Sequence, residues 1–309
     1  MSDKITSGST DLNIYRDTTR IGHVSLNVLD MDKSLEFYKK VLGFKTVERA
    51  STERAVLSVD EHHPPLVELL QIKDAKLAGY NPRRPDTIRR AGLYHFAILL
   101  PGRRYLADML QNLSQRISEI WFDGLADHLV SESIYIRDPD NIGIEIYSDK
   151  PSVKWKWDRG KVRMATVKLD TDDLLRESTA SGWRAMPAET IIGHVHLHVS
   201  NLAKAMVFYH DMLGLSHTAT YPGAYFFAAG RYHHHIATNI WLGTNIQLAS
   251  SEEIGLNHFS IKLPNEEQYQ KTMEQLRQYK IDTPWNVRSS GSKSAFFRDT
   301  DGITIQLYS

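Results

Sequence analysis

The chain has 309 residues, 41% of them hydrophobic, with 37 basic and 37 acidic side chains and no cysteine. A balanced, scattered charge gives no electrostatic case for nucleic acid or an anionic membrane as partner. The lack of cysteine excludes disulfides, zinc-thiolate sites and thiol nucleophiles, so any metal must be held by nitrogen and oxygen.

No apolar run approaches the length of a membrane span, and the polar N-terminus has no signal-peptide core, so a cytoplasmic protein is expected. The length suits two domains of about 150 residues. Met1 to Arg20 is polar and reads as a loose arm. Ile21-Gly22-His23-Val24-Ser25-Leu26-Asn27-Val28 then alternates as a half-buried strand does. Asp30 is placed to cap a helix with Leu35, Phe37, Tyr38 and Leu42 on its apolar face, and Gly43 ends it. Strand-like segments follow at Phe44 to Glu48, Arg54 to Val59 and Leu66 to Ile72, completing a β-α-β-β-β unit.

The unit recurs. Residues 192–216 match residues 21–45 without gaps at 11 of 25 positions, including Ile-Gly-His-Val and the Phe-Tyr pair in the helix. Gly92-Leu93-Tyr94-His95-Phe96 matches Gly255-Leu256-Asn257-His258-Phe259, and Tyr135-Ile136-Arg137-Asp138-Pro139-Asp140 matches Phe296-Phe297-Arg298-Asp299-Thr300-Asp301. Four modules result, at about 20–75, 90–150, 190–250 and 253–309, with helices expected at Arg104 to Ile117 in module two and Glu266 to Tyr279 in module four. The fold class is α+β: two pseudo-symmetric halves, each pair of modules forming a curved mixed sheet around a cup. The natural division is 1–150 (modules one and two), a charged linker at 151–189, and 190–309 (modules three and four). The linker carries Trp155, Trp157 and Trp183 and is expected to pack over the surface, with a short helix near Asp172 to Glu177.

Each module opens on a strand bearing a histidine: His23, His95, His194 and His258. Glu145 stands between Ile144 and Ile146 in a strand, where a carboxylate is costly to bury unless paired or ligating. One His and one Glu on strands of a single module point to a metal site. In module four the matching positions are His258, Phe296 and Gln306, so the carboxylate has become an amide and that module reads as a retired copy.

Four such modules resemble the vicinal oxygen chelate superfamily of glyoxalase I, bleomycin-resistance proteins and type I extradiol dioxygenases, and most of all the bacterial catechol 2,3-dioxygenases. The resemblance covers nearly the whole chain except the arm and the linker. It implies an Fe(II) site of two histidines and one glutamate, with Mn(II) as an alternative metal. It assigns His95 and Glu145 as ligands, and Tyr135 and His128 as groups that hydrogen-bond the substrate. The third ligand is His194 if modules two and three pair, and His23 if one and two pair. The polar run Tyr232 to Trp241, together with His196 and His198 on the face of His194, favours module three. Strand alternation there places His233 and His235 on one face, as candidates for handling the oxygen intermediate, and His234 on the other. The implied activity is O₂-dependent cleavage of a small aromatic diol, with no nucleic acid or membrane partner. The alternatives are a glyoxalase-type metal-dependent isomerase or thiol transferase, and a non-catalytic, ligand-sequestering resistance protein. Exposed module edges leave room for a homo-oligomer.

Overall fold

The computed structural model describes residues 19–73, 89–244, 246–248, 250, 252–281, 285–289 and 292–309. Residues 1–18, where the loose arm was expected, lie outside these, as do residues 74 and 75 of module one. Among the described residues no helix is long and apolar enough to cross a membrane.

All four modules form. Module one opens with the strand Arg20–Val28 and the helix Met31–Glu36, whose N-cap Asp30 accepts from the backbone of Asp32 and Lys33. Three strands follow, Lys45–Ser51, Arg54–Ser58 and Val67–Gln71. In modules two and four the long helices are Arg103–Gln115 and Glu266–Gln278, within two residues of expectation. The short polar side chains of Asp30, Asn201 and Asn265 cap their helices, whereas Arg103–Gln115 follows Gly102 without a side-chain cap.

The modules associate into two eight-stranded mixed sheets with the same internal order. At the centre of each sheet the first strands of two modules run antiparallel, and each is flanked by its own fourth strand in parallel. The pairing does not follow the division expected at the linker. Arg20–Val28 of module one pairs with Gly255–Lys262 of module four. Gly92–Leu99 of module two pairs with Ile191–His198 of module three. One sheet therefore joins the two ends of the chain and the other is built from its middle. Every module presents the same unpaired first-strand edge, so periodicity cannot select which two edges meet.

Consecutive modules are joined through their helices instead. In modules one and three the helix widens to π turns at Phe37–Val41 and Val207–Met212. There the Phe37-Tyr38 and Phe208-Tyr209 pairs are buried, as expected of core residues. Tyr38 Oη donates to Asp138 of module two at 3.1 Å, and Tyr209 Oη donates to Asp299 of module four at 2.7 Å. Each aspartate also accepts two backbone N–H groups of its own turn. The repeated Asp-x-Asp turn is thus a docking point for the neighbouring helix.

The linker does more than cover the surface. Its helix is Thr171–Leu175, and Trp183 donates to the Leu42 carbonyl at 3.2 Å. Trp155 donates to the Lys150 carbonyl and stacks against His233. A two-stranded ribbon, Trp157–Asp158 with Lys161–Val162, leads into a segment that borders the main cavity.

Removing the hydroxyl of Tyr38 or Tyr209 leaves a buried aspartate oxygen short of a donor, at a cost of about 1–3 kcal/mol. Tyr38→Phe and Tyr209→Phe should each lower the unfolding free energy by that amount, read as a lower urea midpoint at unchanged m-value. Midpoints equal to wild type would show that these bonds do not hold the modules together.

Candidate metal centre

The central strand pair of the middle sheet fixes the site. Ala97 is the register partner of Glu145 on one side and of His194 on the other, and His95 lies two residues along the same strand. Side chains at these positions share a face. The methyl group of Ala97 leaves open the space into which its three larger neighbours reach. Nε2 of His95 and Nε2 of His194 each lie 3.0 Å from Glu145 Oε2. All three residues are buried.

This spacing suits a cation. Donors at about 2.1 Å from a metal, at right angles to one another, stand about 3.0 Å apart. His95 Nε2 is buried without an aligned hydrogen-bond partner, although it sits beside the carboxylate. Such orphaned atoms are rare unless something else engages them. The other carboxylate oxygen, Oε1, accepts the Ser133 hydroxyl at 2.6 Å, which fixes its orientation. Burial acts to raise the pKa of Glu145, but the charge and hydrogen bonding of His194 and His95 overcome it and hold the carboxyl well below the usual range. Burial brings His194 down to about 4, against the pull of Glu145, so its imidazole is neutral and has a lone pair to offer. His95, Glu145 and His194 thus form a group able to hold a metal ion.

His23, the alternative third ligand, lies in the other sheet, 3.3 Å from His258. It is kept from the first group by the module pairing.

A cavity of about 600 Å³ opens over the triad. On one wall Tyr135, the cross-strand partner of Glu145, contacts the His95 ring. His128 Nδ1 lies 3.0 Å from the Ala165 carbonyl and must carry the proton to bond it. Its Nε2 is then an acceptor, and Tyr135 Oη donates to it at 2.7 Å. Burial, then the nearby Glu145 charge, push the Tyr135 phenol well above its ordinary pKa.

The opposite wall departs from expectation. His234 lines the cavity, while His233 and His235 do not. The strand of this region is Ile236–Asn239, so the three histidines precede it and strand alternation does not apply. His233 Nε2 donates to Asp149 at 2.9 Å, which leaves its Nδ1 as acceptor for His234 Nδ1–H at 2.7 Å. Two successive bonds thereby fix the tautomer of His234, with the lone pair on Nε2. His235 Nδ1 accepts the Ala229 N–H instead.

Sequence reading also passed over Tyr94, Trp241 and the linker residues Lys161 to Thr166, which line the same cavity. His196, singled out only as a sign of a polar cavity, is another lining residue; its Nε2 is buried without a partner, and burial depresses its pKa strongly. For Tyr94 the available signal was its place next to His95. For the linker there was none, because its contacts are set by the ribbon's docking on the sheet.

The Glyoxalase/Bleomycin resistance protein/Dioxygenase superfamily profile matches residues 20–146 and again 191–307. A catechol-2,3-dioxygenase of Bacillus subtilis (strain 168) is 39% identical over 259 residues, covering 83% of this chain and 86% of that protein. A lactoylglutathione lyase of Pseudomonas putida is 27% identical over 154 residues, covering 42% of this chain and 84% of that protein. Among solved structures, glyoxalase I from Zea mays superposes with a TM-score of 0.56 at 15% identity, covering 94% of this chain and 92% of that one. The two sheets of repeated β-α-β-β-β modules and the double profile match agree, and the chain belongs to the glyoxalase/bleomycin resistance/dioxygenase superfamily.

Proposed function

We propose that this protein is an extradiol dioxygenase that opens the ring of a catechol-type aromatic diol with O₂, using Fe(II), or Mn(II) in its place, held by His95, Glu145 and His194. The observation that carries the reading is the convergence of those three buried side chains beneath a cavity whose walls supply Tyr135, His128 and His234. Two histidines and one carboxylate on one face are the donor set of iron oxygenases. The 39% identity to a catechol-2,3-dioxygenase, over most of both chains, supports it.

When bound, the metal supplies Lewis acidity, an anchor for the two oxygens of the diol, and the means of activating O₂. The chain's own groups do the rest. Glu145 brings one negative charge and Ser133 fixes its orientation. Tyr135 Oη points its proton at His128 Nε2, so it can take a proton from a substrate hydroxyl while passing its own along. His234 Nε2 presents a lone pair from the opposite wall, placed to accept a hydrogen bond or hold a proton as the ring opens. Tyr94, Trp241 and Phe226 give the cavity aromatic surfaces for a flat substrate. Its volume is that of an ordinary small-molecule site and admits a ring with substituents. The product of catechol itself is 2-hydroxymuconic semialdehyde, which carries both atoms of O₂ and both oxygens of the diol.

Anaerobic reconstitution with Fe(II), followed by catechol and O₂, should give a yellow product with matching O₂ uptake. Conversion of a substrate without O₂ would point to the isomerase reading, and stoichiometric binding without conversion to the sequestering one. Glu145→Gln and His95→Ala should lose bound iron and turnover together, and full activity in either sinks the assignment.

The two walls can be told apart. His234→Ala should lower kcat by about 10²–10⁴-fold, the usual worth of a positioned acid or base, with iron content unchanged. His235→Ala should change kcat far less. The reverse order would return the role to His235, as strand alternation had suggested.

A further inference from the structure

The sheet that joins the chain's two ends carries a second gathering of ligand-type side chains, His23, Glu68 and His258, with one ligand atom from each within 4.8 Å of the other two. We infer that this is a second divalent-cation site, which staples module one to module four and carries no catalysis. The inference goes beyond the proposed activity and does not depend on it.

The register is that of the first site. His258 holds the place of His95, and His23 that of His194. Ser260 takes the place of Ala97, with Gln306 beside it where Glu145 stands beside Ala97. The ring pairs are alike, at 5.3 Å between His23 and His258 and 5.6 Å between His95 and His194. Glu68 is an addition, reaching in from the fourth strand of module one.

Each ligand is oriented from behind. His258 Nδ1 donates to Asn257 Oδ1 at 2.9 Å, and the Asn257 amide nitrogen is itself engaged with Asn27, so His258 Nε2 carries a lone pair. That lone pair faces His23 Nε2 across 3.3 Å. His23 Nδ1 is held by the Ser260 hydroxyl at 2.8 Å. Glu68 accepts the Ser25 hydroxyl at 2.6 Å, as Glu145 accepts that of Ser133. Ligands whose remaining atoms are tied by side-chain partners are the mark of a built metal site. The side-chain oxygen of Gln306, the register partner of Ser260, is buried without a partner.

Charge sets the order of affinity. Glu145 is 3% exposed and has no Arg or Lys partner among the described residues, whereas Glu68 is 14% exposed and shares Arg54 with Glu48. The second site therefore starts with less negative charge and should bind about 10- to 100-fold more weakly, the range that outer partners impose. Among the described residues, the positions of the first site's Tyr135 and His234 carry no acid–base group here. Phe296 packs on His258 where Tyr135 packs on His95, and Pro65 stands two residues before the parallel pairing where module three has His234. What the cation can do there is cross-link the first strands of the first and last modules.

The test is anaerobic titration of metal-free, full-length protein with Co(II) alone, read by d–d absorption and calorimetry. Two equivalents should bind, one tightly and one weakly. Glu145→Gln should abolish the tight event and leave the weak one, and Co(II) should still raise the Tm of that variant in a concentration-dependent way. His23→Ala/His258→Ala should remove only the weak event. Gln306→Glu should tighten the weak event at least tenfold without touching the other. A single equivalent in the wild type, with His23 and His258 forming only a hydrogen-bonded pair, would overturn the inference. So would a weak event that survives the double substitution, or one indifferent to Gln306→Glu. Failure of the first site would appear separately, as a tight event untouched by Glu145→Gln.

Discussion

The antiparallel pairing of Gly92–Leu99 with Ile191–His198 is the interaction on which the site depends. It sets two strands from modules roughly 100 residues apart side by side, and makes Ala97 the common neighbour of His194 and Glu145. A larger residue than Ala97 would fill the space where the three ligand atoms meet. A buried carboxylate is expensive without compensation, and here Ser133 and two imidazoles surround it. The same pairing dictates Gly193, because Tyr147 of module two crosses the strand there and any Cβ would collide with its ring. The glycine in the repeated Ile-Gly-His is thus a matter of space. Gly22 repeats it beneath Tyr308.

Around that core, the polar groups of the cavity are set by chains of bonds, one anchored on the cavity wall and one outside it. The Ala165 carbonyl fixes His128, and His128 fixes the direction of the Tyr135 hydroxyl. Asp149 fixes His233, and His233 fixes His234. Neither anchor touches the cavity's centre, yet each decides which atom there carries a proton. At the site itself, His95 Nε2, His194 Nδ1 and His196 Nε2 are buried without hydrogen-bond partners.

The two sheets show how little separates one use of this scaffold from another. Their strand order and central register are the same. Where one has Tyr135, Glu145 and His234, the other has Phe296, Gln306 and Pro65. The exchange removes a phenol, a carboxylate and an imidazole but leaves packing intact, since Phe297, Ile305 and Leu307 remain buried as their counterparts Ile136, Ile144 and Ile146 are. Backbone and core are shared, and the chemistry lies in the side chains facing each cup. Glu68 carries the same sequence signal as Glu145, a lone carboxylate in an apolar strand.

By itself the sequence determined the modules, their helices and strands within a few residues, and the place of His95, Glu145 and Tyr135. These are local matters: periodicity reports which face of an element is buried, and an internal repeat reports equivalence between positions. The choice between His23 and His194 was open because each module carries the same strand edge, and which edges join is settled by packing between segments far apart in the chain. The structure sets His194 beside His95 and Glu145, and sends His23 to His258. That His234, and not His233 or His235, lines the cavity has a different physical reason. Alternation holds only inside a strand, and these residues belong to the turn that precedes Ile236–Asn239, whose course is fixed by Asp149 on another module and Trp155 in the linker. Tertiary contacts alone decide where a turn points its side chains.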